Sequence, residues 1–190
     1  TISNITSTGA ITGVNIGNIG NATTFNVNSN SITNLTSSGA GGTVIGLNNT
    51  QPATTLTNNT NLNTITGLSS TAGAVTGIAS SSASPTKAIS NNTIGTLSSA
   101  GNVVSAISSS NGTTITISTN GITGITGTSV TGTSIVSGIS VTGGAAISIT
   151  NNPISTLSSA NDGSFRGIYV SPLGATSNTI SGNTINGMTS

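Results

Sequence analysis

Apolar residues recur along this chain in a fixed phrase. An aliphatic pair spaced Ile-x-x-Leu stands at Ile2/Ile5, Ile32/Leu35, Ile65/Leu68, Ile94/Leu97, Ile122/Ile125, Ile154/Leu157 and Ile185/Met188. Steps of 30, 33, 29, 28, 32 and 31 residues separate the first members. Five residues before most pairs stands another aliphatic: Val27, Ile89, Ile117, Ile149 or Ile180. Between pairs a small residue precedes an aliphatic, at Gly13-Val14, Gly46-Leu47, Gly77-Ile78, Ala106-Ile107, Gly138-Ile139 and Gly167-Ile168. Such short, β-branched segments between turn-rich stretches predict three strands per repeat. No stretch keeps helical periodicity over three turns. A period near thirty with variable loops is the signature of a solenoid. Parallel crossovers are overwhelmingly right-handed, so the expected fold is all-β: a right-handed parallel β-helix with three parallel sheets.

The repeat around Ile147 shows the expected layout. Ile147 and Ile149 face inward, Asn152 turns the chain, and Ile154 and Leu157 form the next side. Residues 158–164 make a loop, and Gly167–Val170 forms the third side with Ile168 and Val170 inward. The expected core therefore includes Ile32, Leu35, Ile65, Leu68, Ile94, Leu97, Ile122, Ile125, Ile154, Leu157 and Ile168. The phase weakens at 51–63, where Thr60 takes an aliphatic position and Leu56 and Leu62 fall out of step. A bulge or longer loop is expected there. Lys87 also falls at an inward position, so its strand is expected to start after it and leave the amine in solvent.

Two residues before every pair but the first is an asparagine: Asn30, Asn63, Asn92, Asn120, Asn152 and Asn183. A primary amide both donates and accepts, and strands stack at about 4.8 Å. One amide per coil can then bond to the amides above and below it. Asparagine also tolerates the left-handed backbone of a sharp corner. An internal asparagine ladder is the expected result.

Composition narrows the partners. Lys87, Arg166 and Asp162 are the only charged side chains, and histidine and cysteine are absent. Positive mean hydropathy and phased apolar residues argue for one elongated domain over 1–190 instead of disorder. So few charges offer nothing to nucleic-acid phosphates, and no segment approaches the roughly 20 apolar residues that span a bilayer.

The phrases Ile89-Ser90-Asn91-Asn92-Thr93-Ile94, Ile149–Ile154 and Ile180–Ile185, with Gly138–Val141 and Gly167–Val170, resemble the right-handed parallel β-helix repeat family. The resemblance covers essentially the whole chain. That family includes polysaccharide lyases and hydrolases, phage tailspikes and long bacterial surface proteins. This Ser/Thr/Asn/Gly-rich, charge-poor chain looks most like the last group, which implies an exported, adhesin-like protein at the cell surface or outside the cell.

Chemistry has little to stand on. Glycoside hydrolysis uses a pair of carboxylates, and Asp162 is alone; beside Arg166 it would form an exposed pair of small worth. No catalytic residue, cofactor or metal site is assigned, for want of His, Cys or repeated Asp. Sequons at Asn4, Asn21, Asn34, Asn48, Asn58, Asn91 and Asn111 follow from composition. Phe25 and Phe165 fit inward positions, and Tyr169 points outward. Ice binding is the alternative reading, resting on the outward column Ser3, Thr33, Thr66, Gly95, Thr123, Ser155 and Asn186. A carbohydrate-binding or carbohydrate-degrading β-helix is a further one.

Thr1 and Met188 fall near the same point of the coil, so about six coils with flush, uncapped ends are expected. Thr1 is not an initiator, which suggests a processed product or a piece of something longer. Uncapped solenoid ends are unpaired parallel edges. Two partners are expected: flanking repeats of the same chain, or identical chains stacking head to tail through Ile2, Ile5, Ile185 and Met188. The expected function is a structural, non-catalytic fibre or adhesive stalk. With so few ionisable groups its stability is expected to be nearly flat from about pH 4 to 9.

Overall fold

The computed structural model describes all residues except 18, 19, 21, 102, 130–133, 161, 162, 172, 173 and 175. Among the described residues, nineteen strands wind into a parallel β-solenoid of three sheets. The first sheet stacks seven strands: β1 (Ile2–Ser7), β4 (Ser31–Ser37), β7 (Thr64–Ser70), β10 (Thr93–Ser99), β13 (Gly121–Gly127), β16 (Pro153–Ser159) and β19 (Thr184–Thr189). The second stacks six: β2 (Ile11–Ile16), β5 (Val44–Asn49), β8 (Val75–Ser80), β11 (Val103–Ser109), β14 (Ile135–Val141) and β17 (Ser164–Val170). The third also stacks six: β3 (Thr24–Asn28), β6 (Thr57–Asn61), β9 (Thr86–Ser90), β12 (Thr114–Ser118), β15 (Ala146–Thr150) and β18 (Ser177–Ser181). Each strand pairs with its equivalents one repeat away, so each of the three phrases in the sequence becomes one sheet.

The aliphatic pairs align in the first sheet. Ile32 lies against Ile65 and Leu35 against Leu68, and the same register continues to Ile154–Ile185 and Leu157–Met188. A regular strand turns neighbouring side chains to opposite faces, so residues three apart should not both point inward. They do so here because one intervening residue leaves the ladder. Asn34, Thr96 and Thr156, and equivalently Gly67, Gly124 and Gly187, have φ between 53° and 69°. Pairing resumes at the second aliphatic. The left-handed residue restores the inward phase, as a bulge does.

The second sheet meets the first through its small column. A Cβ added to Gly77 would lie 2.6 Å from the Ala106 carbonyl oxygen and 2.9 Å from Ile94 Cγ2. The pair isoleucine of the following coil thus packs almost onto the glycine backbone. Ile32, Leu35, Ile65, Leu68, Ile94, Leu97, Ile122, Ile125, Ile154 and Leu157 are buried, while Ile168 is partly buried against them. Phe25 and Phe165 also pack against the core.

One local expectation is resolved and two change. Of the bulge or longer loop expected at 51–63, the loop is the outcome: β6 runs in register, with Thr60 buried opposite Val27 and Ile89. The irregularity falls in the loop before it, and Leu56 and Leu62 are left outside. Second, the left-handed corner residue is not the ladder asparagine but the one before it: Ser29, Leu62, Asn91, Thr119, Asn151 or Gly182. Third, nineteen strands are six coils plus one strand. Both β1 and β19 belong to the first sheet, so residues 1–190 span one strand more than six coils.

Leu62 carries a cost at its corner. It has φ of 56° and is 60% exposed, so little packing offsets a conformation that costs an L-residue roughly 1–2 kcal/mol. Leu62→Gly is expected to raise stability by about 1 kcal/mol, less whatever glycine gives back as unfolded-chain entropy. The urea midpoint of the variant measures it.

Candidate functional site

The asparagine column is a directional chain of amides. Asn30 Nδ2 donates to Asn63 Oδ1 (2.9 Å), Asn63 to Asn92 (3.0 Å), Asn92 to Asn120 (2.8 Å), Asn120 to Asn152 (2.9 Å) and Asn152 to Asn183 (2.8 Å). Each Oδ1 also accepts the backbone N–H of the preceding ladder asparagine. The remaining amide hydrogen points back one coil, as from Asn120 to the Ile89 carbonyl (2.9 Å). Asn63, Asn92, Asn120 and Asn152 are buried, and their amides are thereby satisfied.

The ladder ends differ chemically. No donor reaches Asn30 Oδ1 among the described residues, and Asn183 has no following Oδ1 for its N–H groups. Asn183 Nδ2 retains only the backward bonds to the Ile149 and Ser181 carbonyls. One end of the coil stack therefore offers acceptors and the other donors.

The expected end residues lie on the edges. Ile2 and Ile5 are in β1, Ile185 and Met188 in β19, and all four are partly or largely exposed. Every residue of β18 and β19 is exposed, including Ile180 at 52% and Ile185 at 43%. These aliphatics occupy core positions of the repeat, and within this chain their sheets pair them on one side only. Beside them on β17, the Arg166 guanidinium sits 4.3 Å over the Tyr169 ring centroid. The expected pairing of Arg166 with Asp162 lies outside the described residues, as does the Asn21 sequon.

A polar level inside the coil was not read from the sequence. Lys87 lies within β9 and is 1% exposed, contrary to the expectation that it reaches solvent. Its Nζ donates to the Ser80 carbonyl (3.1 Å), Ser109 Oγ (3.1 Å) and the Ser110 carbonyl. One strand away, Asn58 and Asn49 exchange amide bonds of 2.9 and 3.0 Å, and Asn58 also reaches Ser82 Oγ. Burial lowers the Lys87 pKa from 10.5 to about 8, because the charged form loses hydration that three neutral oxygens replace only in part. The signal was present: Asn58 and Lys87 stand in phase with Phe25, Ile115 and Ile147.

A serine column follows the first sheet. Ser37, Ser70 and Ser99 donate to the carbonyls of Gly9, Gly42 and Gly73 one coil back (2.8, 2.7 and 2.6 Å). Ser70 and Ser99 also accept N–H groups of their own turns. Gly127 replaces the serine in one coil, and a Cβ there would meet Ser134 Cβ at 2.7 Å. Ser134 Oγ is the buried side-chain polar atom without a partner among the described residues.

The outward Ser/Thr column lies on the first sheet, where Ser155 Oγ donates to Thr123 Oγ1 at 3.2 Å and Gly95 interrupts the row. Compared with family models, curated proteins and solved structures, the chain has no significant match to any of them.

Proposed function

We propose that this protein is a structural β-solenoid that forms or belongs to an extracellular or cell-surface fibre or adhesive stalk. Its working surfaces are the coil edges. The observation that supports this reading is the repeat itself: three parallel sheets and a directional asparagine ladder run from coil to coil, so each coil offers the next the same strand edges and the same amide acceptor. A following coil would cover Ile180, Ile185 and Met188, pair the three edge strands and extend the amide ladder. The covering coil comes from flanking repeats of one chain or from another copy. Few charges oppose such contacts, since net charge near zero favours association.

The test is concentration-dependent sedimentation with electron microscopy of this chain and of Ile185→Arg. Filaments that form from the unaltered chain and are lost in the variant, with the circular dichroism unchanged, are the expected result. Persistent monomers of the unaltered chain would remove self-assembly and leave only the flanking-repeat mode.

A further inference from the structure

The ladder asparagines, the aliphatic pairs and the small column recur from coil to coil, so none of them tells one coil from the next. A stack of near-identical coils can pair a strand with the wrong coil at little cost, and such misassembly is a characteristic failure of repeat proteins. The inner corner between the second and third sheets does distinguish the coils. At the end of the second sheet the inward column reads Ile16, Asn49, Ser80, Ser109, Val141 and Val170. Facing it, the third sheet reads Phe25, Asn58, Lys87, Ile115 and Ile147. Polar side chains thus fill part of an aliphatic corner, with Ile16 and Phe25 on one side of them and Val141 and Ile147 on the other. We infer that this buried polar corner is a register key, which admits only the coil of Ser109 as the next neighbour of Lys87.

The bonds run from each polar coil to the one after it. Asn58 pairs with Asn49 across its own coil and donates to Ser82 Oγ of the next coil at 3.3 Å. Lys87 Nζ takes the Ser80 carbonyl from its own coil, then Ser109 Oγ and the Ser110 carbonyl from the next. Asn49, Asn58, Lys87 and Ser109 are all buried, so water does not stand in for a lost partner. Skipping one coil would set β9 against β15 instead of β12. Val141 would then stand where Ser109 Oγ accepts, and a buried ammonium N–H would be left without a partner. Skipping the coil of Lys87 itself would bring Asn58 against Ile115 and remove Ser82 from its amide. The same mismatches arise when the wrong strand belongs to another copy. A polar group buried at one level of an apolar stack fixes register at a cost in stability. The lowering of the Lys87 pKa to about 8 by burial is a sign of that cost.

Cross-linking across the third sheet tests it. Ala88, Thr116 and Ser148 are successive register partners on its outer face. Neighbours at about 4.8 Å lie within reach of a disulfide, whereas positions two strands apart, at about 9.6 Å, do not. The chain has no cysteine to compete. Ala88→Cys/Ser148→Cys, in the whole chain, is unfolded in urea, refolded under reducing conditions and then oxidised. A bridge between positions 88 and 148, within or between chains, reports the skipped register, and Ala88→Cys/Thr116→Cys reports the native one. With Lys87 in place, the skipped bridge is expected only in traces. Adding Lys87→Met should raise it roughly tenfold or more, since one unmet buried donor carries a factor of that order. The urea midpoint at pH 7 should not fall, which separates a register role from a stabilising one. Ser109→Val, with Lys87 kept, should raise the same bridge, and it decides the question if Lys87→Met does not fold. A skipped bridge at the same low level in all three backgrounds, with the native bridge intact, would overturn the register key. The fibre reading stands or falls separately, because the bridges report pairing inside the coil stack and not filament formation.

Discussion

Asn120→Ala is expected to destabilise the solenoid by about 4–6 kcal/mol, the largest effect of any single truncation here. The side chain accepts from the backbone N–H and amide of Asn92, at 3.1 and 2.8 Å, and donates to Asn152 Oδ1 and the Ile89 carbonyl. Alanine strands these buried partners on both sides. Each buried group left unsatisfied costs roughly 1–3 kcal/mol, and a whole domain is stable by only about 5–15 kcal/mol. Asn59→Ala provides the contrast. Asn59 Nδ2 also bonds an asparagine of the previous coil, Asn26 Oδ1 at 2.9 Å, but on the exposed face. Water can replace that bond, so the change should cost less than about 1 kcal/mol. Urea unfolding of both variants measures the difference. Equal losses would mean that the ladder contributes no more than surface amide pairs do.

The second large effect is on pH. Lys87 has a folded pKa of about 8 against 10.5 for an ordinary lysine. Between those values the unfolded chain binds more protons than the folded one, so stability rises with pH across that window. At about 1.4 kcal/mol per pH unit, the interval amounts to roughly 3 kcal/mol. Below pH 8 both states carry the proton and the cost of the buried charge is constant. The flat profile expected from composition should therefore hold on the acid side and give way to a rise above pH 8. Lys87→Met should remove that rise, as read from urea midpoints at pH 7 and 10.5. An unchanged rise in the variant would assign it to another group. Equal midpoints in the unaltered protein would mean that the ammonium is not destabilised by its surroundings.

The coil was legible because stacking imposes one chemistry on each column. A ladder asparagine must meet an asparagine, and a pair isoleucine must meet its counterpart against a small residue, so both columns stand out at a fixed step. The strands of the first sheet held a further signal in the spacing of their aliphatics. Two inward residues three apart require an unpaired residue between them, and Asn, Gly or Thr fills that place as a left-handed bulge. The corner residue is less legible for a related reason. Asparagine suits both a left-handed turn and an amide ladder, and the structure separates the roles by placing the turn one residue earlier.

Lys87 lies inward because column phase prevails over residue type. Its acceptors are supplied by the ends of β8 and β11 and the residue after β11, a coincidence of carbonyl positions that only the folded coil creates. Counting strands separates six complete coils from the additional strand of the first sheet.

End-to-end continuation of the coils is tested most directly by the axial repeat of filaments grown from the purified chain. Six coils per subunit at about 4.8 Å each, continuing in register from copy to copy, predict a repeat near 29 Å. A repeat well away from that value would contradict continuation of the coils. Isolated particles at every concentration would contradict self-assembly itself.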